Sequence, residues 1–296
     1  MLPKTAAAET ALRGSSPVMQ RVREEIATVA GLDWHVRLEG PRGTGKTIAA
    51  RLLHDLSHRA MAPFVLCSLA MLPDGAEISE LVGHRRGAFT SAVEDRVGKA
   101  EQAHTGTLFL EELATASPHA QAVLLQIVDG APFTRLGENR PRTVNVRCVS
   151  ASNEDLEAMV AQGRFRVDLY DRLGLLLVRL PALCEHREDI PDLAEYVLVR
   201  LCGCAGRPVP LLPSEAVELL VAFDWPGNVR QLTSVLQYFV AFERLPDVVV
   251  RTARGHDWRE RLDEVLHKHE GKKAPAAQEL GVSRETLYQE LRRRQG

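Results

Sequence analysis

The chain has 296 residues, of which 45% are hydrophobic and 26% charged, proportions that are ordinary for a globular protein of one to three domains. No apolar stretch is long enough to span a bilayer, and the N-terminus has no long apolar run of a secretory signal. Five cysteines without framework spacing favour reduced thiols. We therefore expect a cytoplasmic protein with no membrane partner.

Charge is distributed unevenly along the chain. The net charge is −2, but residues 251–296 hold 11 Lys and Arg against 8 Asp and Glu, which leaves −5 for the remainder. A small basic C-terminal unit on an acidic body suggests a nucleic-acid-binding module joined to a domain with a different task.

Short apolar strands alternate with helices as far as residue 182. We expect residues 1–15 to be flexible and a first helix to run from Ser16-Pro17 to about Val29. The predicted strands are 36–39, 63–69, 106–113, 144–150 and 175–180, and the predicted helices between them are 48–56, 118–128 and 156–162. This alternation predicts an α/β domain over residues 16–182 with a mostly parallel sheet, whose ligands lie at the carboxyl ends of the strands.

Residues 40–47 read Gly-Pro-Arg-Gly-Thr-Gly-Lys-Thr, the spacing of a phosphate-binding P-loop. Lys46 can reach the β- and γ-phosphates of ATP, and Thr47 can offer a hydroxyl to Mg²⁺ at the start of a helix. A Gly-rich turn could match by accident, but the flanking strand and helix favour a nucleotide site. The predicted nucleotide contacts here are Gly40, Gly43, Thr44, Gly45, Lys46 and Thr47.

The apolar run Leu108-Phe109-Leu110 ends in two adjacent carboxylates, Glu111 and Glu112. Beside a P-loop, one carboxylate can serve Mg²⁺ and the other can polarise the attacking water. The alternative is an ordinary acidic helix start, which the P-loop makes the weaker interpretation. The expected cofactors are therefore ATP and Mg²⁺, with Glu111 toward the metal and Glu112 as the catalytic residue.

Beyond Pro181 the pattern becomes helical. One helix is predicted to end near Cys202, and two more follow with Ser214 and Asn228 as their caps. These helices form a small domain, residues 183–250, followed by a linker, residues 251–257.

The last predicted domain, residues 258–296, holds three helices with a tight turn at Gly281-Val282. Its small core is predicted from Ala277, Leu280, Val282, Leu287 and Leu291. This pattern is typical of a helix-turn-helix, and the basic end favours DNA binding over a helical oligomerisation tail. The predicted DNA contacts are Ser283, Arg284, Glu285, Thr286, Tyr288, Gln289, Arg292 and Arg293.

On these motifs the chain resembles the bacterial enhancer-binding proteins, the AAA+ activators of sigma-54 RNA polymerase. The most specific stretch is Gly83 to Ala92, which is similar to the family's GAFTGA loop. The resemblance implies an AAA+ P-loop core, a helical lid and a C-terminal Fis-type helix-turn-helix. It also implies that the loop residues Gly87, Ala88, Phe89 and Thr90 contact sigma-54.

Four further residues acquire roles from the resemblance alone. Asn153 matches the polar residue of the sensor I segment, and Arg230 matches the sensor II arginine that reaches the phosphates from the lid. Arg166 and Arg172 match the arginine fingers, which reach the nucleotide of a neighbouring subunit. The resemblance implies assembly into a ring, a hexamer, made of this chain alone or with a paralogue.

The implied function is a transcriptional activator that binds an upstream, enhancer-like DNA site. Its ring uses ATP binding and hydrolysis to remodel the closed complex of sigma-54 RNA polymerase. We expect no sensory domain before the ATPase, as in the phage-shock and type III secretion activators. That likeness implies control by a separate regulatory protein.

Four positions depart from the family pattern. Glu111 replaces Asp in Walker B, Ser68 replaces the switch Asn, Ser91 replaces a loop Gly, and Arg85 reverses the charge of a Glu. A second function is therefore open: a DNA-binding regulator or partner subunit that binds ATP, hydrolyses it weakly and does not itself remodel sigma-54. Retention of the other motif residues favours the active ATPase; these are Lys46, Glu112, Phe89, Thr90, Arg166 and Arg172.

Overall fold

The computed structural model describes residues 12–70, 76–174, 176–260, 262–269 and 272–279, together with Leu287 and Leu291. The chain divides between Ala182 and Leu183 into two compact units. Within the described part, no helix combines the length and apolar character needed to cross a membrane.

The first unit is built on a five-stranded sheet in which every pairing is parallel. Its strands are β1 (Val36–Glu39), β2 (Phe64–Ser68), β5 (Thr107–Glu111), β6 (Arg147–Ser152) and β7 (Leu177–Arg179). Their order across the sheet is β2-β5-β6-β1-β7, so the first strand lies inside the sheet. The predicted α/β class with a parallel sheet is confirmed.

Helices cover both faces of the sheet. They are α1 (Pro17–Ala30), α2 (Lys46–Asp55), α3 (Ala76–Val82), α4 (Lys99–Gln102), α5 (Pro118–Val128), α6 (Leu156–Ala161) and α7 (Val167–Leu173). Side chains alternate along β5: Leu108 and Leu110 pack in one buried cluster with α5 and α7, whereas Phe109 packs in the other with α1 and α2. Burial on both faces explains why β5 carries the continuous apolar run Leu108-Phe109-Leu110.

A short antiparallel hairpin projects an exposed loop from the first unit. Gly83–His84 (β3) pairs with Arg96–Val97 (β4). The backbones are packed so closely that a Cβ on Gly83 would lie 2.3 Å from the carbonyl oxygen of Arg96. Residues 85–95 therefore leave and re-enter the domain at one tightly packed point.

The second unit begins with a helical bundle, as predicted. Its helices are α8 (Ile190–Ala205), α9 (Ser214–Ala222), α10 (Asn228–Phe242) and α11 (Asp247–Glu260). Trp225 is buried at its centre and donates its indole N–H to the carbonyl of Leu220 at 2.8 Å.

Two predicted helix caps are wrong by one residue. Ser214 is the first residue of α9, after Pro213, and Asn228 is the first residue of α10, after Gly227. The Asn228 side chain is buried and accepts the Leu183 backbone N–H at 2.8 Å. That amide therefore ties two segments of the unit together.

Residues 251–257, predicted as a linker, lie inside α11. Ala253 is buried in the bundle core, which anchors the segment. The single glycine of this stretch, Gly255, costs a helix about 1 kcal/mol relative to alanine, which is too little to end it.

Two short helices follow, α12 (Leu262–Lys268) and α13 (Lys273–Glu279). Their buried residues Leu262, Val265, Ala276 and Ala277 form one cluster with the buried Leu287, and Leu291 packs against it. Of the predicted core, Leu280 and Val282 lie outside the described residues.

Candidate functional site

The P-loop connects the end of β1 to the first turn of α2. At Gly40, where φ is +152°, a Cβ would lie 2.4 Å from the carbonyl oxygen of Leu180, so only glycine fits. Gly45 is the N-cap of α2 and adopts a left-handed conformation with φ +99°. The backbone N–H groups at the start of α2 therefore point into the loop, where the helix dipole favours an anion.

Lys46 folds its side chain back over this loop. Its ammonium donates to the carbonyl oxygens of Gly40 at 2.6 Å and Pro41 at 2.9 Å. Thr44 closes the same turn by donating its hydroxyl to Pro41 O at 3.0 Å. A positive charge is thus held at the mouth of an N–H-lined cradle, an arrangement that suits a polyphosphate.

Thr47 and Glu111 meet across the sheet. The Thr47 hydroxyl donates to Glu111 Oε1 at 2.9 Å, although 64 residues separate them. Glu111 is the last residue of β5 and pairs in register with Ser68, the last residue of β2. A hydroxyl and a carboxylate at adjacent positions are the hard oxygen ligands that Mg²⁺ takes, so this pair fits a magnesium ion.

Glu112 lies directly after β5 in the left-handed region, with φ +56° and ψ +46°. Its carbonyl accepts the Thr115 backbone N–H at 2.9 Å and the Thr115 hydroxyl at 2.8 Å, which stabilises the turn. A non-glycine residue in this region costs about 1–3 kcal/mol and is most common at functional sites. The turn sends the Glu112 side chain away from the direction that the strand would give it.

Asn153 follows β6, the strand next to β5, and is half-buried. Glu111, Glu112 and Asn153 therefore lie at the same, carboxyl edge of the parallel sheet as the P-loop. This is the edge at which such sheets bind ligands.

The two predicted finger arginines lie at opposite ends of α7 and are exposed. Arg166 is the N-cap of the helix and donates to both carboxylate oxygens of Asp168, at 3.0 and 2.7 Å. Arg172, in the last turn, donates its Nε to Asp129 Oδ1 at 2.9 Å. The hydrogen bond to Arg166 lowers the pKa of Asp168, and the same bond raises the pKa of Arg166, so this pair is ionised at neutral pH.

A buried glutamine that the sequence interpretation missed holds the start of this segment. Gln121 donates its amide N–H groups to the carbonyls of Ala116 at 3.0 Å and Arg164 at 3.2 Å. Its Oε1 accepts the Arg166 backbone N–H at 2.9 Å. No local pattern reveals this role, because Gln121 reads as an ordinary polar position of a helix.

The exposed loop is a tight turn. Gly87 donates its N–H to Ala92 O at 2.8 Å, and Ala92 donates to Phe89 O at 2.9 Å. The Phe89 side chain is 39% exposed, and its ring meets that of His84 edge-on with centroids 4.9 Å apart. The tip therefore presents one aromatic side chain on a hydrogen-bonded base.

Arg85, noted in the sequence as a charge reversal, has partners at the foot of this loop. Its guanidinium forms ion pairs with Asp95, across the loop, and with Glu138 Oε1 at 3.3 Å. Asp95 also accepts the Arg86 backbone N–H at 2.8 Å. These bonds link the loop to residues 133–142, since Arg85 also donates its backbone N–H to Leu136 O.

The remaining predicted contacts belong to the second unit. Arg230 is exposed in the first turn of α10. All eight predicted DNA contacts lie outside the described residues; they are Ser283, Arg284, Glu285, Thr286, Tyr288, Gln289, Arg292 and Arg293.

Three protein-family models match consecutive parts of the chain. They describe a sigma-54 interaction domain over residues 12–179, an AAA+ ATPase lid domain over residues 184–254, and a Fis-family bacterial regulatory protein over residues 259–293.

Curated proteins and solved structures are also similar to the chain. The transcriptional regulatory protein ZraR of Salmonella typhimurium is 37% identical over 311 aligned residues, which span 99% of this chain and 70% of that protein. The Nif-specific regulatory protein of Azotobacter vinelandii is 45% identical over 229 residues, spanning 77% of this chain and 44% of that protein. The crystal structure of NtrX from Brucella abortus in complex with ATP matches with a TM-score of 0.74 and 31% identity, covering 95% of this chain and 68% of that one.

Proposed function

The chain belongs to the sigma-54-dependent AAA+ transcriptional regulators, and from that premise we propose that it is an ATP-driven activator that remodels the closed complex of sigma-54 RNA polymerase. The observation that carries this proposal is the combination, within one unit, of the P-loop, the Thr47–Glu111 pair and the exposed Phe89 loop. The proposed partners are DNA and RNA polymerase, so we expect the protein to act in the cytoplasm.

ATP would bind with its phosphates against the N–H groups of the P-loop. Lys46 would exchange its bonds to the Gly40 and Pro41 carbonyls for the β- and γ-phosphates. Thr47 and Glu111 would hold a magnesium ion, which neutralises phosphate charge when bound. Arg230 would approach the phosphates from the lid, in the sensor II role.

Glutamate at position 111 is matched to Thr47 in this structure. An aspartate there would withdraw the carboxylate by roughly one bond length, about 1.5 Å, and lose the 2.9 Å hydrogen bond to Thr47. We expect Glu111→Asp to raise the Mg²⁺ concentration for half-maximal ATPase activity by about 10-fold or more. Mg²⁺ titrations of steady-state ATPase activity measure this shift.

Thr47 supplies the reciprocal test. Thr47→Val keeps the shape and removes the hydroxyl, so it should shift the Mg²⁺ requirement in the same direction, whereas Thr47→Ser should leave it near wild type. An aspartate variant more active than wild type would instead mean that Glu111 impairs metal binding, and would support the weakly hydrolysing alternative.

Hydrolysis would combine groups from two subunits of a ring. Glu112 would polarise the attacking water, and Asn153 would contact the γ-phosphate region. Arg166 and Arg172 would cross to the nucleotide of the neighbouring subunit, leaving Asp168 and Asp129. Both ion pairs are exposed, and exposed pairs contribute little free energy, so the exchange for a phosphate is feasible.

The loop between β3 and β4 would be the part of the ring that acts on sigma-54. Gly87, Ala88, Phe89 and Thr90 would contact sigma-54, with the Phe89 ring as the anchor, since buried aromatic side chains dominate many protein interfaces. The Fis-type domain would hold the ring at an enhancer-like DNA site. We further propose control by a separate regulatory protein.

The second candidate is a partner subunit that hydrolyses ATP poorly. Ser68 favours it, because a serine lies beside Glu111 at the position of the family's switch asparagine. The Thr47–Glu111 hydrogen bond opposes it, because the longer Glu111 still reaches the P-loop.

One experiment separates the two candidates: ATPase activity and sigma-54-dependent open-complex formation are measured for wild type, Lys46→Ala and Phe89→Ala. Wild type should be active in both assays and Lys46→Ala in neither. Phe89→Ala should lose about tenfold or more in open-complex formation and keep its ATPase activity within about twofold. A wild type as inactive as Lys46→Ala in both assays, while still binding DNA, would reject the first candidate.

A further inference from the structure

A buried arginine lies under the helix that carries the two finger residues. Arg37 is the second residue of β1 and is only 4% exposed, in the interior of the sheet. Its neighbours in the strand, Val36 and Leu38, pack in the cluster formed with α1 and α2. The Arg37 side chain therefore lies on the opposite face, where α5 and α7 cover the sheet.

The partner of this guanidinium is an aromatic ring. Its central carbon lies 4.2 Å from the centroid of the Tyr170 ring. Among the described residues, the buried Nε and Nη1 atoms of Arg37 have no hydrogen-bond partner. A guanidinium removed from water interacts strongly with an aromatic face, because little solvent competes with the ring.

Tyr170 lies midway along α7, between Arg166 and Arg172. Leu169 and Leu173 of the same helix are buried against the sheet. Such apolar contacts are non-directional. The Arg37–Tyr170 stack adds a directional contact at the centre of α7. Arg37, on the other side of this stack, lies in β1, three residues before Gly40 of the P-loop.

Arg37 also faces a carboxylate on the same side of β1. Glu39 is half-buried, and burial raises the pKa of its carboxyl while the charge of Arg37 opposes that rise. The cation thus lies between the strand that enters the P-loop and the helix that presents the fingers. Neither Arg37 nor Glu39 has a role in the nucleotide chemistry proposed above.

We propose that Arg37, through its stack on Tyr170, is a positioning residue that orients α7 so that Arg166 and Arg172 reach the nucleotide of the neighbouring subunit. The inference rests on the proposed finger role of these arginines. It makes a specific prediction about kinetics. Loss of Arg37 should lower kcat and leave the KM for ATP almost unchanged, because the P-loop of the same subunit is intact.

The first test replaces the charge and the ring separately. Arg37→Met keeps the length of the side chain, and apolar replacement of a buried charge is often tolerated by the fold. We expect kcat for ATP hydrolysis to fall about 10- to 100-fold, the size of effect that small misplacements of catalytic groups produce, with KM within about twofold. Tyr170→Leu should match Arg37→Met, the double variant should be no worse than either, and Tyr170→Phe, which keeps the ring, should be near wild type.

The second test uses mixed rings. Glu112→Gln subunits lack the proposed catalytic base but carry an intact α7. Mixing them with Arg37→Met subunits should restore ATPase activity, because an Arg37→Met site then receives fingers from its neighbour. Mixed rings of Arg172→Ala and Glu112→Gln subunits are the control, because they test whether the arginine fingers act between subunits.

The outcomes separate this inference from the proposed function. If the Arg172→Ala control recovers and Arg37→Met does not, or if Arg37→Met raises KM, Arg37 acts on its own P-loop and the inference is wrong. If the control itself fails, it is the finger role that fails. Comparing kcat of Tyr170→Leu with kcat of Tyr170→Phe still tests whether the stack matters. This comparison needs no mixed rings, and it remains available if Arg37→Met does not fold. A Tyr170→Leu variant with wild-type kcat would overturn the inference.

Discussion

Glu112→Gln is expected to reduce kcat for ATP hydrolysis by about 10²- to 10⁴-fold while ATP still binds, because an amide cannot accept the proton of the attacking water. Glu112 leaves β5 in a left-handed turn that Thr115 stabilises, next to the Thr47–Glu111 pair. Glutamine has the same shape, so the turn should persist. Single-turnover hydrolysis and a nucleotide-binding titration measure the two effects separately.

Glu154→Gln is the matched control, since Glu154 is an exposed carboxylate that follows the next strand of the sheet, β6. It should leave both kcat and ATP affinity within about twofold of wild type, as surface substitutions generally do. A Glu112→Gln protein that hydrolyses ATP at more than a tenth of the wild-type rate would show that another group activates the water. Loss of ATP binding in that variant would mean that Glu112 serves the P-loop rather than the chemistry.

The parallel sheet could be predicted because its strands are buried on both faces. Leu108, Phe109 and Leu110 therefore form an unbroken apolar run, even though they pack in two different clusters. The hairpin around Gly83 could not be predicted. Each of its strands has two residues, and it depends on close backbone packing between Gly83 and the segment at Gly98, which no hydrophobic period records.

The P-loop could be predicted because its function depends on consecutive residues, so spacing alone encodes the geometry. The partners of the finger segment could not. Gln121 lies 45 residues before Arg166, and Arg37 comes from the first strand to support a tyrosine in the seventh helix. From the sequence alone, Gln121 has the pattern of a surface residue of a helix, and Arg37 interrupts the apolar pattern of a strand.

Buried contacts of single residues explain the remaining differences. A run of ordinary residues with one glycine, 251–257, reads equally well as a linker or a helix, and the burial of Ala253 decides between them. In the same way, asparagine is a residue type that often caps helices. The Asn228 side chain instead accepts a hydrogen bond from the Leu183 backbone N–H. Local preference is a weak guide wherever a buried contact competes with it.

Arg172→Ala is expected to reduce kcat by about 10³-fold or more, the effect of removing an arginine finger from a phosphoryl-transfer site. Arg172 is 66% exposed at the end of α7 and is paired with Asp129, so its guanidinium is available at the surface to a second subunit. Because the lost group would serve the neighbour, the affinity of the variant's own site for ATP should be unchanged. Steady-state ATPase assays and a nucleotide-binding titration test both statements.

Arg164→Ala is the appropriate comparison, because Arg164 is also an exposed arginine of the same segment, and its side chain pairs with Glu154 at 3.4 Å. Its removal should change kcat less than about twofold. Mixed with Glu112→Gln subunits, Arg172→Ala subunits should regain activity, since their own Glu112 and P-loop are intact and the neighbour supplies the arginine. Equal losses in Arg164→Ala and Arg172→Ala would point to a general requirement for positive charge on this segment. No recovery on mixing would mean that Arg172 acts within its own subunit, where its bond to Asp129 would then be the interaction that matters.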